Sequence, residues 1–176
     1  MSQPGAASSA GHIDGLQFAR SGSVREGTLE TGQLPRLAEL HVTVRRAGFR
    51  LSGAINGNGK PVLNLRASAE GSMPCQRCLG QVDLVLAVDA ELVLSRSLEE
   101  IETADDEVDR VLADRTMDVA RLVEDELILE LPMVPRHESC APAVAAKVLD
   151  ASSGGKPSPF AALAALKRPG KGGTEQ

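Results

Sequence analysis

Cys75-Gln76-Arg77-Cys78 and His137-Glu138-Ser139-Cys140 constrain this chain more than anything else in it. Two thiols stand two residues apart, and some 60 residues later an imidazole and a third thiol repeat the spacing. Short ligand pairs on tight turns are the material of a tetrahedral metal site, and joining them obliges the fold to bring two distant turns to one point. All 3 cysteines fall within the pattern, whereas His12 and His41 lie outside it. The expected cofactor is therefore a structural Zn2+ held by Cys75, Cys78, His137 and Cys140. Two other readings stand beside it: an unliganded core cluster, and a redox dithiol. The dithiol needs its first cysteine at a helix N-terminus, and Pro74 with alternating flanks on both sides argues for strands. An odd third cysteine fits a reducing cytoplasm better than a disulfide scaffold.

The alternation of side chains predicts what lies around the pair. Leu40, Val42 and Val44 alternate with polar neighbours, and the turn Arg46-Ala47-Gly48 is expected to follow. Phe49, Leu51, Gly53 and Ile55 alternate next. Asn56-Gly57-Asn58-Gly59 is a hairpin signal, because Asn and Gly tolerate positive φ. A third run carries Leu63, Leu65, Ala67 and Ala69 up to the thiol pair. A fourth runs from Val82 to Leu94. Four period-two runs with short connections predict an antiparallel β-sheet of about four strands with one wet face. Residues 99–110 read as an acidic loop. Asp118 then caps a helix whose Val119, Leu122, Val123 and Leu127 recur at helical spacing, and Pro132 ends it. The expected fold class is α+β, with one main amphipathic helix over the apolar face of the sheet.

Residues 36–142 would form the domain. Residues 1–35, rich in Gly and Ser, read as a flexible segment. Residues 143–176 read as a flexible tail carrying a short helix over 158–168, with Ser158 and Pro159 at its start and Lys167 and Arg168 at its end. Its Phe160, Leu163 and Leu166, with Lys167 and Arg168, are candidate partner-docking residues, since so short a helix is marginal alone; the other reading is that it packs permanently on its own domain. No run has membrane-spanning length and no targeting segment is visible.

The order Cys75-Gln76-Arg77-Cys78-Leu79, then Val123-Glu124-Asp125-Glu126, then Leu131-Pro132-Met133-Val134-Pro135-Arg136-His137 and Cys140, closing on Pro159 to Lys167, resembles the large ribosomal RNA subunit accumulation protein family, called YceD-like. The resemblance runs from about residue 35 to residue 168. It implies a non-enzymatic role in synthesis, processing or stability of 23S ribosomal RNA, within large-subunit biogenesis. Some relatives carry further cysteines after the Pro-x-x-Pro stretch, and His137 stands here at one such position.

Charge and composition shape the expected mechanism. Residues 81–130 hold 16 of the 24 acidic residues and 4 bases, so an acidic middle separates two basic ends. With no Trp, no Tyr and 3 Phe, base stacking on aromatic platforms is nearly excluded. RNA contact would fall to Arg45, Arg46, Arg50, Arg66 and Arg77, with His41 beside them, through phosphates and shape; the other reading is an ordinary solvated sheet face. Glu124, Asp125 and Glu126 read as the exposed side of the helix and not as a catalytic acid pair. No catalytic residue is assigned. The expected partners are large-subunit ribosomal RNA or its precursor and a basic ribosomal or RNA-processing protein, with no membrane and no small-molecule substrate. The alternative is a zinc-stabilised protein–protein interaction module that never touches RNA.

Overall fold

In the computed structural model, residues 10–105 and 108–140 are described. The elements run in order β1 (His12–Ile13), α1 (Gly15–Arg20), β2 (Val24–Leu29), α2 (Pro35–Glu39), β3 (Thr43–Ile55), β4 (Pro61–Pro74), β5 (Gln81–Ser95), α3 (Leu98–Glu102), β6 (Arg110–Leu112), β7 (Met117–Asp118) and α4 (Val119–Leu129). A five-stranded sheet has the order β2-β3-β4-β5-β6, and β1 pairs with β7 in a separate ribbon. The first four strands are antiparallel, while β6 runs parallel to β5. The fold is α+β with a mixed sheet. It has one strand more than the alternation predicted.

The long β3–β4 hairpin forms where Asn and Gly predicted it. The Asn56 side chain accepts the N–H groups of Asn58 and Lys60, and Gly59 takes the left-handed φ of 74° that the turn requires. Along β4 and β5 the buried residues alternate with exposed ones. Leu63, Leu65, Ala67, Leu84, Leu86, Leu92 and Leu94 thus line one apolar face. Helices α1 and α4 close over that face, with Phe18, Val119, Val123 and Leu127 inserted in it. The approach of α1 is close enough to exclude a side chain at Gly53, where a Cβ would lie 2.6 Å from the Ala19 Cα. Asp118 caps α4 as expected, accepting the N–H groups of Ala120 and Arg121, and the helix stops ahead of Pro132.

Four expectations are corrected. The turn at Arg46-Ala47-Gly48 does not exist. Residues 43–55 form one strand, and a bulge between Val44 and Arg46 absorbs the break in alternation. Residues 10–35 are not a flexible segment. They supply β1, α1 and β2, with Phe18, Ala19, Leu29 and Leu34 buried, and Arg25 donates to the carbonyls of Ala10 and His12. The acidic stretch 99–110 is not wholly loop, because it holds most of α3 and the start of β6. Glu124 is not exposed: it retains 2% of its accessible surface. The described residues belong to a unit ending at Cys140. The predicted tail helix over 158–168, with Phe160, Leu163, Leu166, Lys167 and Arg168, lies outside the described residues.

Candidate metal centre

The thiol pair sits on the turn between β4 and β5. Backbone bonds from Cys75 N–H to the Gly80 carbonyl and from Leu79 N–H to the Cys75 carbonyl close the turn, at 2.8 and 2.9 Å. Leu79 pays for the tight closure with a left-handed φ of 63°, a conformation uncommon for a non-glycine residue. The second pair arrives on the extended stretch after α4. Gln76 N–H donates to the Pro135 carbonyl at 2.8 Å, which fastens the two turns together. Arg77 reaches the Cys140 carbonyl at 3.3 Å.

These backbone bonds bring four donor atoms, one each from Cys75, Cys78, His137 and Cys140, within 4.8 Å of one another. Cys75 and Cys140 are 3.8 Å apart at sulfur, and Cys78 Sγ lies 3.4 Å from His137 Nδ1. Metal–sulfur bonds of about 2.3 Å and metal–nitrogen bonds of about 2.0 Å in a tetrahedron place two sulfurs about 3.8 Å apart and a sulfur and nitrogen about 3.5 Å apart. The observed separations match those edges and are far longer than a disulfide. Ring orientation agrees as well. His137 Nε2 donates to the Gln81 carbonyl at 2.8 Å, so in the neutral ring Nδ1 is the bare nitrogen turned towards the sulfurs. A carbonyl behind the imidazole is the usual outer partner of a metal-ligating histidine. The four sequence-predicted ligands therefore come together at metal-holding distance.

The electrostatics of the turn favour a thiolate. Burial by itself pushes the Cys75 thiol up, but the backbone N–H groups of Cys78, Arg77 and His137 aimed at its sulfur outweigh it and bring its pKa from 9.0 to about 5. The Gln81 carbonyl, and then the Cys75 and Cys78 sulfurs, raise His137 above its ordinary value of 6.5. Burial, then the neighbouring sulfurs, raise Cys140 above 9.0. At neutral pH without metal, Cys75 is thus an anion and Cys140 a thiol. The depressed Cys75 value contributes stability that is present above pH 9 and lost as the pH falls towards 5. The raised His137 value contributes below pH 6.5 and is lost as the pH rises through its folded value. In metal-free protein, the thiolate absorbance that Cys75→Ser removes should be present at pH 7 and disappear as the pH falls near 5. Thiolate absorbance that develops only above pH 8 would contradict the arrangement.

The arginines assigned to RNA divide into two groups. Arg45 pairs with Asp83 at 2.9 Å, Arg50 with Glu26 at 2.5 Å and Arg66 with Asp89 at 3.2 Å. Glu26, Arg50, Arg66 and Asp89 stand in register as one row across four strands, so each cation of that row has its own acid. Arg46 and Arg77 are exposed and make no ion pair among the described residues. The periodicity of the strands could not distinguish these groups, because the acids come from other strands of the sheet. Sequence reasoning also missed Arg20, Arg96 and Arg115. They line one cleft of about 680 Å³ with Asp14 and Asp114, and none of the three forms an ion pair among the described residues. They lie far apart along the chain, so no motif announces them.

The fold and this centre define a class: a small α+β protein whose β4–β5 turn is fastened to the chain after α4 by a Cys3His cluster at metal-ligating distance. The family model described as "Large ribosomal RNA subunit accumulation protein YceD" matches residues 63–167, and the chain belongs to that family. It is 30% identical over 164 residues to the Large ribosomal RNA subunit accumulation protein YceD of Haemophilus influenzae, covering 89% of this chain and 94% of that one. It is 32% identical over 107 residues to the uncharacterized protein YlbN of Bacillus subtilis, covering 59% of this chain and 60% of that one. No solved structure matches. Among the described residues no helix is long and apolar enough to cross a membrane.

Proposed function

We propose that this protein supports accumulation of large-subunit (23S) ribosomal RNA as a cytoplasmic, non-enzymatic adaptor between RNA and protein. Its cofactor would be a structural zinc ion held by Cys75, Cys78, His137 and Cys140. The observation that carries the reading is the four-donor cluster, its donor atoms within 4.8 Å of one another, in a chain that belongs to this family. Four protein ligands fill a tetrahedral ion and leave no position for water, so the metal would fasten turns and perform no hydrolysis.

RNA contact is assigned to six arginines that form no ion pair among the described residues. These are Arg77 and Arg136 at the knuckle, Arg46 on β3, and Arg20, Arg96 and Arg115 in their cleft. Arg45, Arg50 and Arg66 are a weaker choice, because their charge is already opposed at the surface. Binding of purified protein to large-subunit RNA should weaken steeply with salt, since each neutralised phosphate releases a counterion. Replacing Arg20, Arg96 and Arg115 together by glutamine should reduce the magnitude of the log–log salt slope by about 2 to 3, whereas the same change at Arg45, Arg50 and Arg66 should alter it less. Absence of binding at low salt removes RNA contact and leaves the second reading, a protein-interaction module. The paired sheet arginines favour that second reading. In cells, nuclease treatment separates the two: partners that survive it are held by protein.

A further inference from the structure

Strand β5 has an open edge. It pairs with β4 from Gln81 to Val93, but with β6 only at Val93, Leu94 and Ser95. In an antiparallel ladder the N–H and C=O of successive residues point to opposite sides of the strand. Both ends of β5 fix which side is which. The Gln81 carbonyl accepts from His137, the Val93 N–H donates to Asp109, and the Ser95 carbonyl accepts from Ala113, all away from β4. Odd-numbered residues therefore turn their backbone groups outward: Asp83, Val85, Ala87, Asp89 and Glu91. Among the described residues these outward groups have no backbone partner. All five side chains are exposed, and Val85 is 81% exposed although it lies mid-strand.

An unpaired row of donors and acceptors is a template for an added strand. We propose that this edge accepts an extended segment of a basic protein, laid alongside β5 over residues 83–91. The charge of the edge selects the occupant. A second copy of this chain would oppose like charges. The longest two-fold pairing, centred on Ala87, sets Asp83 against Glu91 twice. Sliding by one residue towards the knuckle sets Asp83 against Asp89. Like charges directly opposite destabilise a ladder. A segment that alternates Lys or Arg with small apolar residues places its cations on the exposed face beside Asp83, Asp89 and Glu91, and its apolar side chains on the opposite face, in line with Leu84, Leu86 and Val88. Asp83 and Asp89 also face Arg45 and Arg66, but both remain more than 70% exposed. Glu91 makes no ion pair among the described residues, and beyond it the chain continues into Glu99, Glu100, Glu102, Asp105 and Asp109.

The biological use of this edge rests on the adaptor reading, but its test needs no RNA, so the two can fail separately. Amide hydrogen exchange is followed by NMR on the full chain, alone and with a synthetic peptide of about ten residues alternating Lys with Val and Thr. The amides of Asp83, Val85, Ala87, Asp89 and Glu91 should exchange fast in the free protein and slow by at least about tenfold with peptide. Those of Leu84, Leu86 and Val88, bonded to β4, should be slow throughout. The same peptide with Glu for Lys should leave all of them unchanged. Ala87→Pro removes one outward N–H and crowds the edge without breaking a bond to β4, so it should abolish the protection. Should that variant misfold, Glu91→Lys supplies the comparison and should weaken binding of the Lys peptide about threefold. The proposal is overturned if the odd amides are slow before peptide is added, with concentration dependence then assigning the edge to a second copy. It is equally overturned if both peptides protect alike, if neither does, or if the variants bind as the wild type does.

Discussion

Cys75→Ser should abolish tight metal binding and release the knuckle end of the sheet. Protein purified without chelator should carry about one zinc ion per chain. Loss of an outer-shell partner alone costs roughly 10- to 100-fold in metal affinity, so loss of a buried ligand should cost more than about 100-fold. Cys140→Ser should behave alike, because the two sulfurs stand on one edge of the same tetrahedron, 3.8 Å apart. Affinity should also fall with falling pH, because the ion must displace protons from Cys140 and His137, both of which hold them more firmly than usual. The damage should be local. The β3–β4–β5 sheet has its own apolar face, whereas residues 131–140 are held chiefly through Gln76, Arg77 and the ligands. Limited proteolysis should therefore cut first between Leu131 and Cys140 in the variant or after chelation. A metal-free wild type whose 131–140 stretch resists protease equally would dispose of the metal centre.

Glu124→Ala should destabilise the protein by about 3 kcal/mol, or lower its melting temperature by about 10 °C. Glu124 lies on α4, yet its carboxylate accepts the N–H groups of Arg36 and Leu37 at 2.7 and 3.0 Å. Those are the unsatisfied donors of the first turn of α2, which starts at Pro35 behind Leu34, a residue with no capping side chain. Helix α2 is thus capped by a side chain 88 residues further along the chain. Truncation leaves two donors without a partner and opens a cavity beside Leu37, which is fully buried. Glu124→Gln keeps one acceptor oxygen and should lose about 1 kcal/mol, the difference between a charge-assisted and a neutral bond. Asp125→Ala is the control: its ion pair with Arg36 is surface-exposed, and such pairs are worth roughly 0–1 kcal/mol. Equal melting temperatures for Glu124→Ala and Asp125→Ala would refute the buried cap.

The adjacent pair Glu124 and Asp125 shows where periodicity stops being informative. Both read as the polar side of one helix. The distinction between a buried cap and a solvated ion pair depends on where α2 lies, and α2 comes from a stretch too short and too rich in polar residues to predict. The same reason hid β2. Its inward positions are Arg25, Gly27 and Leu29, so only one large apolar side chain marks the face, and its pairing with β3 supplies the rest. The split of β3 at Arg46 had the opposite cause. A bulge inserts one residue and inverts the alternation, and in the sequence an inverted alternation is indistinguishable from a turn.

What the sequence determined by itself is what local chemistry enforces. Asn56 and Gly59 dictate a hairpin, Asp118 starts a helix, alternating leucines give the sheet a dry face, and two short ligand pairs name the four donors. The tertiary structure alone decided which elements meet. It converted Glu124 into a cap for α2, gave Arg45, Arg50 and Arg66 each an acid from another strand, gathered Arg20, Arg96 and Arg115 around one cleft, and left most of β5 unpaired on its outer edge. Each of these is a relation between residues remote in the chain. It is set by strand order and helix docking, which depend on the summed packing of the whole core and not on any spacing along it.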